Sequence, residues 1–219
     1  MGNIFYLIYT LIYIYLIVYA YRMNSSKDLQ YWCFLAILGA LFYDCLISAV
    51  GFLVGDGQFL KILNYLRFVM HVFITPTLCY IAFKLAQKMQ VRVAQGKAAE
   101  TVVWLLIVIF IVWGFMHDIA PMDLVPETVW GVLAYTHATP SVPIPVILVN
   151  VFIIIMSVFI WKKTGWPILF ITSVIMMFVG AIQIESLGQL PGNAGEIVFI
   201  CGFLLAQKKV LKKTPCDSC

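Results

Sequence analysis

Several side chains that could do acid–base chemistry lie inside strongly apolar stretches of this sequence. The segment KILNYLRFVMHVFITP carries Asn64, Arg67, His71 and Thr75 among leucine, valine, isoleucine and phenylalanine. At 100° per residue, a helix places these four side chains within about 80° of one another. We expect this polar stripe to face other protein groups, because an unpaired charge in apolar surroundings is costly.

Carboxyl and amide groups occur in the same way in other apolar stretches. Asp44 lies one helical turn before Ser48 in LGALFYDCLISAVGFL, and Asn193 precedes Glu196 in GNAGEIVFICGFLLAQ. A carboxyl group can serve as a general acid or base when its surroundings tune its proton affinity. Two further stretches end in polar groups, namely His117 with Asp118 and Gln183 with Glu185.

These residue types suggest an acid–base site with distinct roles. We predict that Asp44 or Glu196 acts as the proton donor. Arg67 and His71 are then expected to orient a polar head group or to hold the partner acid ionised. The predicted substrate-binding residues are Asn64, His117, Asp118, Gln183 and Tyr43. A structural ion pair between Arg67 and one acid, without catalysis, is the alternative for the same residues.

The elements that hold these residues are helices suited to a bilayer. The chain is 63% hydrophobic and 11% charged, with a mean hydropathy of +0.99, whereas a soluble domain is about half apolar and a quarter charged. Seven stretches approach the roughly 20 residues that a membrane-spanning helix needs. They lie near residues 3–21, 30–53, 60–83, 100–116, 143–160, 167–184 and 192–207. The sequence therefore predicts an all-α, polytopic integral membrane protein with seven transmembrane helices.

The lysine and arginine residues predict the orientation of this bundle. All of them except Lys61 and Arg67 follow the first, third, fifth or seventh stretch, and so fall on one side. By the positive-inside rule that side is cytoplasmic, with the N-terminus outside and the C-terminus in the cytoplasm. We predict a transmembrane domain over 1–207 and a basic cytoplasmic tail over 208–219. Polar groups from five helices then lie at mid-depth or in the outer half, and we expect them to share a single cavity.

The connection from about residue 120 to residue 143 lies on the predicted outer side. Pro126 and Glu127 favour the start of a helix, so this segment could form a short surface helix that covers the cavity. The alternative is an ordinary interfacial loop anchored by Trp130 and Tyr135.

The sequence indicates neither a cofactor nor a metal. The histidines His71, His117 and His137 show no metal-ligand spacing, and no motif supports a zinc site that combines the first two with Asp44. The middle of the last stretch lacks the lysine that covalently bound retinal would need. P-loop, G-x-S-x-G and dinucleotide-binding motifs are also absent from the sequence.

In length and architecture the chain resembles the small seven-helix integral-membrane terpene cyclases. The matching features are FYDCL around Asp44 and NAGEIVF around Glu196, which correspond to acidic residues in the second and seventh helices of that family. The family usually has Trp-Glu in helix 2 and Asp in helix 7, so the two acids differ here. The resemblance implies that a carboxylic acid protonates an isoprenoid epoxide or olefin, while aromatic faces stabilise the cation.

Two classes of function follow. The first is a membrane-embedded enzyme that applies carboxylate acid/base chemistry to a lipid-like or isoprenoid substrate, as a cyclase, isomerase or lipid hydrolase. The alternative is a proton-coupled transporter or a ligand-sensing seven-helix protein, since intramembrane arginine, histidine and carboxyl groups also form proton relays. In each case the expected partner is a hydrophobic small molecule or lipid in a membrane, not nucleic acid. The oligomeric state is not indicated.

Overall fold

The computed structural model describes residues 1–23, 27–139, 142–181 and 186–213 of the 219-residue chain. Helices occupy all seven predicted stretches. In chain order they are α1 (Gly2–Met23), α2 (Leu29–Val54), α3 (Gln58–Ile74), α4 (Thr77–Lys88), α5 (Lys97–Gly114), α6 (Ile144–Thr164), α7 (Ile168–Ala181) and α8 (Leu190–Lys213). A short 3-10 turn (Arg92–Ala94) precedes α5, and a π-helical turn (Phe115–Ile119) extends it.

Five helical segments within the described residues are long and apolar enough to cross a membrane. They are Gly2–Met23, Leu29–Val54, Gln58–Lys88, Lys97–Ile119 and Ile144–Thr164. The apolar helix α7 has only 14 residues, and α8 begins with the polar sequence LPGNAGE. The helical class and a membrane location are thereby supported, while the count of seven spans stays a prediction.

The third of these segments is broken at Pro76, where the sequence predicts a kink. Helix α3 ends at Ile74 and α4 begins at Thr77. Proline has no N–H to donate, so the carbonyl of Val72 loses its helical partner. Beyond the break, α4 lies at the centre of the bundle and packs against α2, α5, α6 and α8. The break therefore separates α3, which carries the polar stripe, from a helix that is almost entirely buried.

One end of the bundle collects the basic residues, and we call it the basic end. Helix α1 packs against α2 and α8, and α7 lies between α6 and α8. Two ion pairs and two cation–ring contacts join the segments that carry these lysines. They are Lys88–Asp28, Lys84–Glu100, Lys208 over the Tyr19 ring and Lys209 over the Trp166 ring. The predicted grouping of these cations is present in the fold. Its assignment to the cytoplasm stays a prediction.

A β-hairpin covers the opposite end, which we call the hairpin end, and the predicted surface helix is wrong. Strands β1 (Leu124–Val129) and β2 (Val132–His137) pair antiparallel, with Pro126 opposite Tyr135. Valine and threonine in both segments favour strands. Trp130 and Gly131 connect them with φ of 51° and 80°, the backbone of a two-residue hairpin turn.

The hairpin is attached to three helices. The amide of Gly2 donates to the carbonyl of Trp130 at 3.0 Å, and the Trp130 ring stacks on Phe5 of α1. Gly51 of α2 lies so close to the Leu133 carbonyl that a side chain there would collide with it. The buried Tyr135 hydroxyl donates to Asp56 beside α3, and this carboxylate holds the pKa of Tyr135 above its usual range. Tyr135 is therefore a tether of the hairpin and not an interfacial anchor.

Candidate functional site

The centre of the candidate site is a buried ion pair between α2 and α3. The Nε of Arg67 donates to Oδ1 of Asp44 at 2.5 Å, and its Nη1 donates to Oδ1 of Asn64 at 2.7 Å. Asn64 is fully buried and donates in turn to the carbonyl of Leu60. The arginine is 8% exposed, so its charge depends on Asp44 and not on water. The predicted ion pair between Arg67 and one of the two acids is present, and the acid is Asp44.

The amide of Asn193 on α8 joins the two predicted catalytic acids. Its Nδ2 donates to Oδ2 of Asp44 at 2.8 Å and to Oε2 of Glu196 at 3.2 Å, which uses both of its N–H groups. The hydroxyl of Tyr6 on α1 donates to Oδ1 of Asn193 at 3.3 Å. Four helices, α1, α2, α3 and α8, therefore contribute to one hydrogen-bonded network, which we call the Asp44 network.

The two acids of this network have different surroundings. Asp44 accepts from a guanidinium and an amide, whereas Glu196 accepts only the Asn193 amide among the described residues. One cation thus faces two carboxyl groups. The second carboxyl has no cationic partner in the described part of the chain. This inequality between neighbouring acids is the arrangement that separates a proton donor from a carboxylate base.

The sequence places Tyr6, Tyr9 and Tyr13 on one face of the first helix, a pattern that suits either the lining of a channel or simple packing. Tyr6 and Tyr13 are two turns apart on that face, and both are buried. Tyr6 belongs to the Asp44 network, while the Tyr13 hydroxyl has no hydrogen-bond partner among the described residues. The seven-residue spacing of Tyr6 and Tyr13 indicates a shared helix face. It does not distinguish side chains that line a site from side chains that only pack.

A cavity of about 80 Å³ lies between the Asp44 network and the hairpin, and we call it the hairpin cavity. Its inner wall includes Arg67, Ser48 and Tyr6, and its outer wall includes Glu127 and Trp130 of the hairpin. Ser48 donates its hydroxyl to the carbonyl of Asp44. The cavity is smaller than the roughly 150 Å³ apolar cavity that holds benzene. In this conformation it has space for a few waters or a small polar group.

His71 is one turn beyond Arg67 on α3 but lines a different cavity. This second space, the His71 cavity, measures about 10 Å³ and also borders Thr75, Asp118 and Val149. It is close to the size of one water molecule. The predicted single cavity is therefore wrong in the described structure. The α3 stripe is divided because Asn64 and Arg67 face α2, while His71 and Thr75 face α5 and α6.

Among the described residues, the other predicted substrate-binding residues lie outside the Asp44 network. Nδ1 of His117 lies 2.7 Å from Oδ1 of Asp118 in the π-helical turn. Tyr43 donates its hydroxyl to the Leu63 carbonyl at 3.1 Å, which links α2 to α3. Gln183, together with Glu185, lies outside the described residues. The structure thus brings Asp44, Arg67, Asn64 and Glu196 together, and it places His71, His117 and Asp118 in a separate cluster.

Comparison with known proteins adds no further constraint. No protein-family model, curated protein or solved structure matches the chain. Within residues 1–23, 27–139, 142–181 and 186–213, no group of three or more histidine, cysteine, aspartate or glutamate residues is placed to hold a metal ion. The chemistry of the site therefore has to be argued from its own side chains.

Proposed function

We propose that this protein is a membrane-embedded enzyme that performs carboxylate acid/base chemistry on a lipid-like or isoprenoid substrate. The observation that carries the proposal is the Asn193 amide, which holds Asp44 and Glu196 together while only Asp44 contacts Arg67. Two adjacent acids in unequal surroundings can divide the roles of acid and base. A purely structural ion pair needs only the arginine and one of the two carboxylates.

The roles follow from the contacts. Asp44 contacts the guanidinium of Arg67, and we assign it as the base that accepts a proton from the substrate. Glu196 contacts no cation among the described residues, and we assign it as the acid that donates a proton. Tyr6 fixes the orientation of the Asn193 amide, because its hydroxyl occupies the amide oxygen and leaves both N–H groups for the acids. A proton removed by one acid and delivered by the other gives an isomerisation without a cofactor.

The size of the hairpin cavity limits how much of a substrate it can hold. At about 80 Å³, it encloses a head group, whereas pockets that bury a whole small ligand measure roughly 300–1,000 Å³. A cyclase-type reaction, as the terpene cyclase resemblance implies, has to fold an isoprenoid chain around the acid. That reaction requires the hairpin to move away from α1 and α2. Chemistry near the head group of a lipid, with its tail in the bilayer, requires a smaller movement, since Arg67 and Tyr6 line the cavity whereas Asp44 and Glu196 do not.

Deuterium incorporation tests the acid/base proposal. The purified protein is incubated in heavy water with a membrane lipid and isoprenoid extract, and the products are analysed by mass spectrometry. We expect deuterium to enter one class of lipid, and we expect Glu196→Gln and Asp44→Asn to abolish this incorporation. Glu100→Gln is the matched control, because Glu100 pairs with Lys84 at the basic end, away from the network.

Two outcomes would contradict the proposal. If Glu196→Gln incorporates deuterium as the wild type does, Glu196 is not the acid. If Glu100→Gln loses incorporation to the same extent, the change reflects stability and not chemistry. Native mass spectrometry of the gently purified protein provides a second readout, since a bound lipid should be retained by the wild type and lost in the Asp44→Asn variant.

Proton-coupled transport is the second candidate, and the His71 cavity favours it. His71 lies one helical turn from Arg67 on α3 and borders the small cavity with Asp118, so a proton path between the two clusters would pass through this cavity. The measurement is proton flux into liposomes that contain the protein and a pH-sensitive dye. Transport predicts a flux that His71→Gln removes. An enzyme predicts no flux above that of empty liposomes.

The orientation of the bundle is part of the proposal. We place the hairpin end outside and the basic end in the cytoplasm, because lysine and arginine accumulate on the cytoplasmic side of membrane proteins. Labelling of a Glu127→Cys variant with a membrane-impermeant maleimide in intact cells tests this placement. Labelling only after the cells are opened would reverse it.

A further inference from the structure

Arg67 has hydrogen-bonding capacity that the Asp44 network does not use. A guanidinium carries five N–H groups in a fixed plane. The described contacts occupy Nε, which donates to Asp44, and one N–H of Nη1, which donates to Asn64. The other N–H groups belong to a side chain that is 7% exposed and lines the hairpin cavity. They are therefore free to donate to an acceptor that enters this cavity.

Among the described residues that line the hairpin cavity, none accepts a hydrogen bond from the spare N–H groups of Arg67. The hydroxyls of Ser48 and Tyr6 are engaged with the Asp44 carbonyl and with Asn193. Among the described residues of the outer wall, the charged group is the exposed carboxylate of Glu127, which accepts from Thr136 at 3.0 Å. The described lining therefore has the spare N–H groups of Arg67 on the inner side and a negative charge at the rim.

The charges of the lining select against an anion. The positive charge of Arg67 is already matched by Asp44, and Glu127 adds a negative charge at the rim. An incoming carboxylate or phosphate would lose its water without gaining an unmatched cation. An uncharged oxygen acceptor meets the spare N–H groups at a much smaller desolvation cost.

We propose that the hairpin cavity binds the uncharged oxygen-bearing head group of a membrane lipid, such as a hydroxyl, carbonyl or ester, and rejects carboxylate and phosphate heads. This inference rests on the proposed function in that it assigns the substrate class of the same site. The head group contacts Arg67, and Trp130, Val132 and Leu190 surround its first carbon atoms. The rest of the lipid lies outside the cavity, since about 80 Å³ does not hold a chain.

A series of ligands with one tail and four heads tests the selection. Oleyl alcohol, methyl oleate, oleate and oleyl phosphate are each added to the protein in a nonionic detergent, at a pH at which the last two are ionised. Bound ligand is counted by native mass spectrometry. The Ala134→Leu variant fills the cavity from the hairpin side, and binding that it retains is subtracted as non-specific. We expect the two uncharged ligands to bind about tenfold tighter than the two anions.

Variants at the exposed Glu127 keep the test independent of folding. Glu127→Gln should reduce the preference for the uncharged ligands over the anions, because it makes the rim less negative. Glu127→Lys should reduce this preference further, because it makes the rim positive. Equal binding of all four heads, or tighter binding of the anions by the wild type, would overturn the head-group assignment. Equal binding by the wild type and Ala134→Leu would place the ligand elsewhere. Selective binding without deuterium incorporation would instead count against the acid/base function and leave the head-group site standing.

Discussion

The two ends of the bundle use charged residues in opposite ways. At the basic end, Lys88 pairs with Asp28 at 3.0 Å, and both side chains are at least 40% exposed. Near the hairpin end, Arg67 pairs with Asp44, and their side chains are 7% and 23% exposed. The first pair is exposed to water. In the second pair, Arg67 donates to Asn64 and Asp44 accepts from Asn193, in addition to the contact between the two charged groups.

This difference shows where the fold is sensitive to a lost charge. Exposed pairs contribute about 0–1 kcal/mol because water can replace either partner. Removal of one member of a buried pair leaves a charge that nothing replaces, at a cost of about 3–5 kcal/mol. The comparison therefore predicts a steep gradient of mutational effects from the Asp44 network to the basic end.

The largest effect is expected at Asp44. Asp44→Asn keeps the shape of the side chain but leaves the Arg67 guanidinium without its counter-charge, so we expect a loss of about 3–5 kcal/mol of unfolding free energy. Thermal or denaturant unfolding of the detergent-solubilised protein measures this loss.

A double variant separates charge from packing at the same position. Asp44→Leu combined with Arg67→Met removes both charges and keeps apolar volume, which is often neutral or stabilising for a buried pair. We expect the double variant to recover most of the stability that Asp44→Asn loses. A double variant as unstable as the single one would show that the hydrogen-bonded geometry, and not the unpaired charge, determines the cost.

A smaller effect is expected at Asn193. Asn193→Leu removes the two hydrogen bonds that the amide donates and leaves the Tyr6 hydroxyl without its acceptor. An unsatisfied buried polar group costs about 1–3 kcal/mol. Asn193→Gln is the control, since it keeps the amide but displaces it. No change in unfolding free energy for Asn193→Leu would mean that the bridge between the acids is not formed in solution.

The positions of the helices could be predicted because apolar stretches of membrane length leave few alternatives. The break at Pro76 was predictable for a similar reason, since proline removes a helical donor wherever it stands. The hairpin was not predicted. Pro126 and Glu127 suit a helix start, but the strand preference of Val125, Thr128 and Val129 prevailed once Trp130 and Gly131 could form a tight turn.

Half of the site could be anticipated from helical spacing. Asp44, Arg67 and Glu196 meet because three charged side chains inside apolar helices have few partners other than one another. The position of His71 was not predictable in the same way. The four residues from Arg67 to His71 advance the stripe by about 400°, which is 40° beyond a full rotation. Packing of α3 against α2 on one side and α5 on the other then places Arg67 and His71 in different cavities.

A modest effect is therefore expected at His71. Its side chain makes no hydrogen bond to the described residues and borders the small cavity beside Asp118. We expect His71→Gln to change the unfolding free energy by about 1 kcal/mol or less, well below the effect of Asp44→Asn. The measurement is the same denaturant titration, with Val72→Ala as a reference for a pure packing loss. A cost as large as that of Asp44→Asn would mean that the two clusters form one network.

The smallest effect is expected for Asp28→Asn, and two variants at this position separate the charge from the helix cap. Burial opposes ionisation of this carboxyl, but hydrogen bonds from Lys88 and the Tyr31 amide outweigh it and hold its pKa below the ordinary 3.8. Its contribution to stability is therefore complete above that value and is lost as the pH falls through the lower folded-state pKa.

Asp28→Asn keeps the N-cap of α2 and loses only the exposed pair, about 0.2–1 kcal/mol at neutral pH. Asp28→Ala also loses the cap and should cost roughly 1 kcal/mol more. Equal costs for the two variants would show that the cap contributes nothing, and a cost for Asp28→Asn near that of Asp44→Asn would remove the contrast between the two ends.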